Sequence, residues 1–147
     1  MRINESYIID EIISQTGNEN IVVMQLDLSS FKSIREFAAA IVKTESRLDV
    51  LIHNAGYAGM LKNYISDDGI ELTMATNHYG PFLLTHLLIN LMLKSVPSRI
   101  IVVASEMYIF GHLNPKSRSS LNPTHRLFSA HNYSGTINHL DERNTLI

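Results

Sequence analysis

The chain has 147 residues, 45% hydrophobic and 18% charged, with a formal net charge of -2 at pH 7. Such a size and composition give one domain able to bury a core and exclude a disordered chain, and the charge leaves no footprint for nucleic acid or an anionic membrane. With no cysteine, disulfides and cysteine-held zinc are excluded, and a reducing, intracellular and cytoplasmic setting is expected.

Met1 to Ser6 runs into isoleucines and acids without an apolar leader or a cleavage motif, so no signal peptide is predicted. Ile8, Ile9, Ile12 and Ile13 share one helical face, with Gly17 as a stop. Ile21 to Leu26 then reads as a strand ending at Asp27. Ser30 or Ser33 caps the next helix, Ser33 and Glu36 standing at capping-box spacing. Its apolar stripe is Phe31, Ile34, Phe37, Ala38, Ile41 and Val42.

A short buried strand at 50–53 runs into a tight Asn54-Ala55-Gly56 turn. After a loop through Gly59 and Tyr64, Asp67 or Asp68 caps a long helix from about Gly69 to Leu93. Its second half is apolar nearly all round, which predicts burial on two sides. The stretch Phe82 to Leu93 includes Thr85, His86 and Asn90 and is shorter than the roughly 20 residues of a membrane span. The last strand covers Arg99 to Ala104 and delivers Ser105. Beyond Met107 the pattern decays, so residues 1–110 are read as the domain and 111–147 as an irregular C-terminal segment.

Helices alternating with strands across short connections predict an α/β fold with a parallel sheet and right-handed crossovers. Two buried parallel strands, each ending in a small polar group, are how an open α/β sheet builds a site. Asn54-Ala55-Gly56 carries no bulky side chain after Asn54, so a ligand can approach its backbone; an ordinary Asn/Gly turn has the same composition. Asp27 reads as a hydrogen-bond acceptor or as a strand-end acid and helix cap. Ser105 reads as a hydroxyl for a developing oxyanion or as a cap of a following helix. Asn77 is a poor mid-helix residue. Pro81, four positions on, has no N–H to give its carbonyl. The histidines at 53, 78, 86, 112, 125, 131 and 139 show no ligand spacing, and no metal site is predicted.

Four features stand in order: Leu26-Asp27-Leu28, Asn54-Ala55-Gly56, Ala75-Thr76-Asn77-His78 and Val102-Val103-Ala104-Ser105. This ordered set resembles the short-chain dehydrogenase/reductase family over roughly residues 10 to 110. The run Asn77-His78-Tyr79-Gly80-Pro81-Phe82-Leu83-Leu84-Thr85 resembles its retinol-dehydrogenase-like branch. The resemblance implies a Rossmann-like, doubly wound parallel sheet and an NAD- or NADP-dependent oxidoreductase acting on an apolar alcohol or carbonyl compound. It assigns Asp27, Leu28, Asn54, Ala55 and Gly56 to the cofactor, with the Asp27 carboxylate on the adenine amino group. It assigns Asn77, Ser105 and Tyr133 to catalysis, the carbonyl of Asn77 holding a relay water beside the tyrosine. It also implies a homo- or heterodimer through the helix at 69–93.

The chain departs from that pattern at both ends. The family's glycine-rich Thr-Gly-x-x-x-Gly-x-Gly turn has as its sole candidate Thr16-Gly17-Asn18-Glu19-Asn20-Ile21-Val22-Val23, where Ile21 and Val23 replace glycines. The sheet is therefore expected to be partial, lacking its first two strands, with the chain truncated at both ends. The strand at 21–26 would then either pair directly with that at 50–53 or leave the first βα unit loosely held. Four residues after Tyr133 stands Ile137 in place of the family's lysine, and without a nearby cation the phenol keeps a pKa of about 10. Three functions are weighed: an oxidoreductase, weak or inactive alone; a non-catalytic dimerisation or interaction module; and an unstable product with no function of its own.

Overall fold

A computed structural model describes residues 5–58 and 64–104. Helix α1 spans Glu5–Thr16, α2 Phe31–Thr44 and α4 Gly80–Lys94, with strands β1 at Val50–His53 and β2 at Arg99–Val102. A short α3, Leu72–Met74, and a π-helical turn, Ala75–Tyr79, lead into α4. β1 and β2 pair in parallel, with Val50 opposite Arg99 and His53 opposite Val102. Flanking bonds, Arg99 N–H to Asp49 O at 2.9 Å and Val103 N–H to His53 O at 3.0 Å, extend the ladder. A long connection that returns parallel is the βαβ unit expected of the sequence.

Helix α1 ends as its sequence predicts: Gly17 takes φ 69 and its amide bonds Ile13 O at 2.8 Å. The positive φ is one that glycine adopts without a Cβ penalty. Helix α2 is capped by Ser30, whose side chain accepts from Ser33 N–H. Ser33 does not cap. Its hydroxyl accepts from Asp27 N–H at 3.0 Å.

The apolar stripe of α2 meets that of α4. Ile34, Ala38, Leu84 and Leu88 form the buried centre, with Leu26, Leu28, Phe31, Leu48 and Leu51 packed around it. Ser95, fully buried after α4, ties this layer to the sheet. Its hydroxyl accepts from Leu48 N–H at 2.8 Å and donates to Leu91 O at 2.7 Å. One side chain thereby joins the end of α4 to the approach to β1.

Four expectations are corrected. Residues 21–26 form no strand, so neither direct pairing with β1 nor a longer described sheet results. Of this segment Leu26 lies against the α2–α4 core, whereas Val22, Val23 and Met24 are exposed. The strands are buried on one face: Leu51 and His53 turn toward the helices, whereas Ile52 is 57% and Val103 53% exposed. Strand alternation puts these on the side that no described helix covers.

The long helix begins at Leu72, and Glu71 caps it through Oε1 to Thr73 N–H and Oε2 to Met74 N–H, at 3.0 and 2.9 Å. Asp68 instead accepts from Phe31 N–H at 2.7 Å, serving the first turn of α2. Finally, α4 is buried on one side only among the described residues. Phe82 and Leu93 are 66% and 64% exposed. No helix among the described residues is long and apolar enough to cross a membrane.

Candidate functional site

The carboxyl ends of β1 and β2 lie side by side, as the ladder bond from Val103 to His53 requires. Asn54, Ala55 and Gly56 leave β1 exposed to solvent at this edge. The turn is held at its far end by Asn77. Asn77 Oδ1 accepts from Tyr57 N–H at 2.7 Å, and its Nδ2 donates to Tyr57 O at 2.9 Å. One amide thus satisfies both backbone groups of Tyr57, its oxygen accepting and its nitrogen donating. A Cβ built on Gly56 would lie 3.9 Å from Asn77 Oδ1, so the turn rests closely on the helix.

Asn77 sits within the π-helical turn. The amide of Gly80 reaches back to Ala75 O, five residues away. Pro81, which has no N–H to give Asn77 O, follows directly on this widened turn. Gly80 is buried against the opposite segment. A Cβ there would overlap Leu28 O and lie 3.1 Å from Leu28 C. Leu28 and Tyr57 therefore both meet this stretch of helix, at Gly80 and at Asn77.

Asp27 forms a local turn. Its Oδ1 accepts from Ser29 N–H at 2.8 Å and from Ser29 Oγ at 2.6 Å. The carboxylate thus organises its own loop, with no strand before it and Ser30 as the cap of α2. Ser105 and Tyr133 lie outside the described residues, as does the segment 111–147.

The other end of the turn is held by a residue that the motif reading passed over. His53 is buried beneath the sheet, with its Nε2 2.8 Å from Thr85 Oγ1. Burial lowers its pKa below the usual histidine value, because the charged imidazolium loses its hydration. A signal for this was present: Leu51 and His53 are two apart on a strand whose helix-facing side must be apolar or bonded. A polar group there requires a partner. Among the described residues no three His, Asp or Glu side chains gather as a metal set.

Residues 4–112 match the family model described as short chain dehydrogenase. The chain is 43% identical over 104 residues to human retinol dehydrogenase 13, covering 71% of this chain and 31% of that protein. It is 43% identical over 99 residues to human retinol dehydrogenase 14, covering 67% of this chain and 29% of that protein. The chain thus spans less than a third of either relative's length. Among solved structures it resembles an uncharacterised protein of Mycobacterium Paratuberculosis, with a TM-score of 0.69 at 29% identity over 92% of this chain and 49% of that one. A Shigella flexneri 2a protein assigned to the short chain dehydrogenases and complexed with NADP gives 0.64 at 23% identity, over 92% of this chain and 53% of that one. This last likeness bears on the fold alone, a partial Rossmann-like one.

Proposed function

The chain belongs to the short-chain dehydrogenase family, and from that premise we propose that it serves NAD(P)-dependent hydride transfer between a nicotinamide and an alcohol or carbonyl carbon. The reading is carried by the Asn54-Ala55-Gly56 turn, exposed where two parallel strands end and gripped by Asn77. That edge of an open α/β sheet is where dinucleotides bind. The residues fit the adenosine half: after Asn54 only one methyl stands on the turn, so a ribose or base can reach the backbone. Asp27 and Leu28 would flank the adenine. The relatives' name supports an apolar, retinoid-like substrate.

A bound nicotinamide would supply or accept the hydride. Of this chain's residues, Asn77 holds the turn, Ser105 would orient the substrate oxygen, and Tyr133 would pass the proton. Ile137 stands four residues after Tyr133, where the family's pattern has a lysine, so the lysine of that pattern would be missing from the proton transfer. Turnover by this chain alone is therefore expected to be weak or nil. The cysteine-free composition supports an intracellular, cytoplasmic setting.

The test is titration of the full chain with NADPH and with NADH, followed by reduced-nicotinamide fluorescence. Saturable binding that Asn77→Ala weakens is expected. Failure of both dinucleotides to saturate would sink the proposal.

A second reading is favoured by the outer face of α4, where Phe82 and Leu93 are exposed together with His86 and Asn90. On this reading the chain is a non-catalytic module that pairs with a second copy or a relative through that face.

A further inference from the structure

We propose that Thr85 is a positioning residue for the Asn54–Gly56 turn, acting through the side chain of His53. The proposal rests on the dinucleotide reading above. His53 is the last residue of β1, and its backbone is already fixed on one side, its carbonyl accepting from Val103 N–H at 3.0 Å. Its ring is fixed from below, Nε2 standing 2.8 Å from Thr85 Oγ1 on α4. Four residues on, both backbone groups of Tyr57 are fixed by Asn77. Three exposed residues, Asn54, Ala55 and Gly56, thus span two anchors.

Both side-chain anchors come from one run of helix, Asn77 in its π-helical turn and Thr85 in α4. The turn therefore has its height over the helix set at both ends. A short segment pinned in this way has lost most of its conformational freedom before any ligand arrives, and a ligand that reads its backbone does not bear that ordering cost. Loss of the Thr85 hydroxyl would free the β1 end of the segment while leaving the Asn77 anchor in place.

The experiment uses the full chain with Thr85→Val, which keeps the shape and removes the hydroxyl, and Thr85→Ser, which keeps the hydroxyl. Amide hydrogen exchange over residues 50–58 is compared with exchange over α2. Dissociation constants for NADPH and NADH are measured in parallel. Loss of one hydrogen bond predicts that Thr85→Val speeds exchange at the turn and weakens the dinucleotide by about two- to tenfold, with Thr85→Ser close to the parent. Exchange over α2 should not change.

Unchanged exchange at the turn in Thr85→Val overturns the proposal. So does an equal rise over α2, which would mark a general loss of packing, or a Thr85→Ser chain that behaves like Thr85→Val. Selective, serine-rescued exchange in a parent that binds neither dinucleotide sustains the anchor and overturns the dinucleotide reading instead.

Discussion

Gly80→Ala tests how closely the segment at Leu28 rides on the helix. Gly80 has an ordinary helical backbone, φ -63 and ψ -56, so on propensity alone alanine should stabilise it by about 1 kcal/mol. The surroundings reverse the sign. The added methyl would overlap Leu28 O and stand 2.9 Å from Ala75 O, and both obstacles are backbone. Neither can rotate away as a side chain would, so the loop at Asp27–Leu28 must lift from the helix. Overpacking costs about 1–3 kcal/mol, and rigid neighbours put this site at the upper end. Net of the propensity gain, roughly 2 kcal/mol of destabilisation is expected. In urea, where the slope for a small domain is about 2 kcal/mol per molar, the midpoint should fall by about 1 M. Gly17→Ala is the contrast: nothing stands within 4 Å of its Cβ, and the strain is conformational only, from φ +69, costing about 1–2 kcal/mol. A Gly80→Ala midpoint at or above that of the parent would refute the argument from close approach.

Three further outcomes follow from the same structure. Ser95→Ala leaves the Leu48 amide without the acceptor described for it, so it should lower stability by about 1–3 kcal/mol in denaturant unfolding; a loss under half a unit would show that water replaces the hydroxyl. His53 has a folded pKa lowered by burial, so the unfolded chain takes up a proton that the folded chain resists. Its contribution is intact above the unfolded value of about 6.5 and is lost as pH falls from there toward the lower folded value. Urea midpoints measured between pH 8 and 5.5 should therefore drop at the acid end, and the drop should shrink in His53→Asn; an equal drop in both chains would remove His53 as its source. If α4 pairs chains through its exposed face, Phe82→Asp with Leu93→Asp should convert a dimer to monomer in sedimentation velocity, and a parent already monomeric at high concentration would end that reading.

The helices were largely legible in the sequence because apolar period and capping act locally. The stripe Ile34, Phe37, Ala38, Ile41 packs as its spacing requires, and Ser30 caps as one of two candidates. The segment 21–26 was misread for the opposite reason. A β-rich run becomes a strand only when a neighbour completes its hydrogen bonds, and composition says nothing of the neighbour. The start of the long helix went wrong because Asp67, Asp68 and Glu71 are all plausible caps, and a contact across 37 residues took Asp68 for α2. At the site, the motifs name the Asn54–Gly56 turn and Asn77, and the structure brings the two segments together through Tyr57. The motifs do not show that Asn77 spends its side-chain amide on Tyr57, nor that His53 needs Thr85. Those facts depend on the distance between a strand and a helix 20 or 32 residues away in sequence.

The wide turn at Ala75–Tyr79 also works as a phase adjuster. On an unbroken α-helix, eight residues carry about 800° of rotation, some 80° beyond two full turns. Asn77 and Thr85 would then look in different directions. Where hydrogen bonds span five residues rather than four, each residue turns through less, and part of that excess is absorbed. The two side chains can then face one short loop from a single rod. Removing one residue from this turn would restore regular helix bonding and swing Asn77 away from Tyr57, so the stretch should tolerate substitutions far better than it tolerates a change of length.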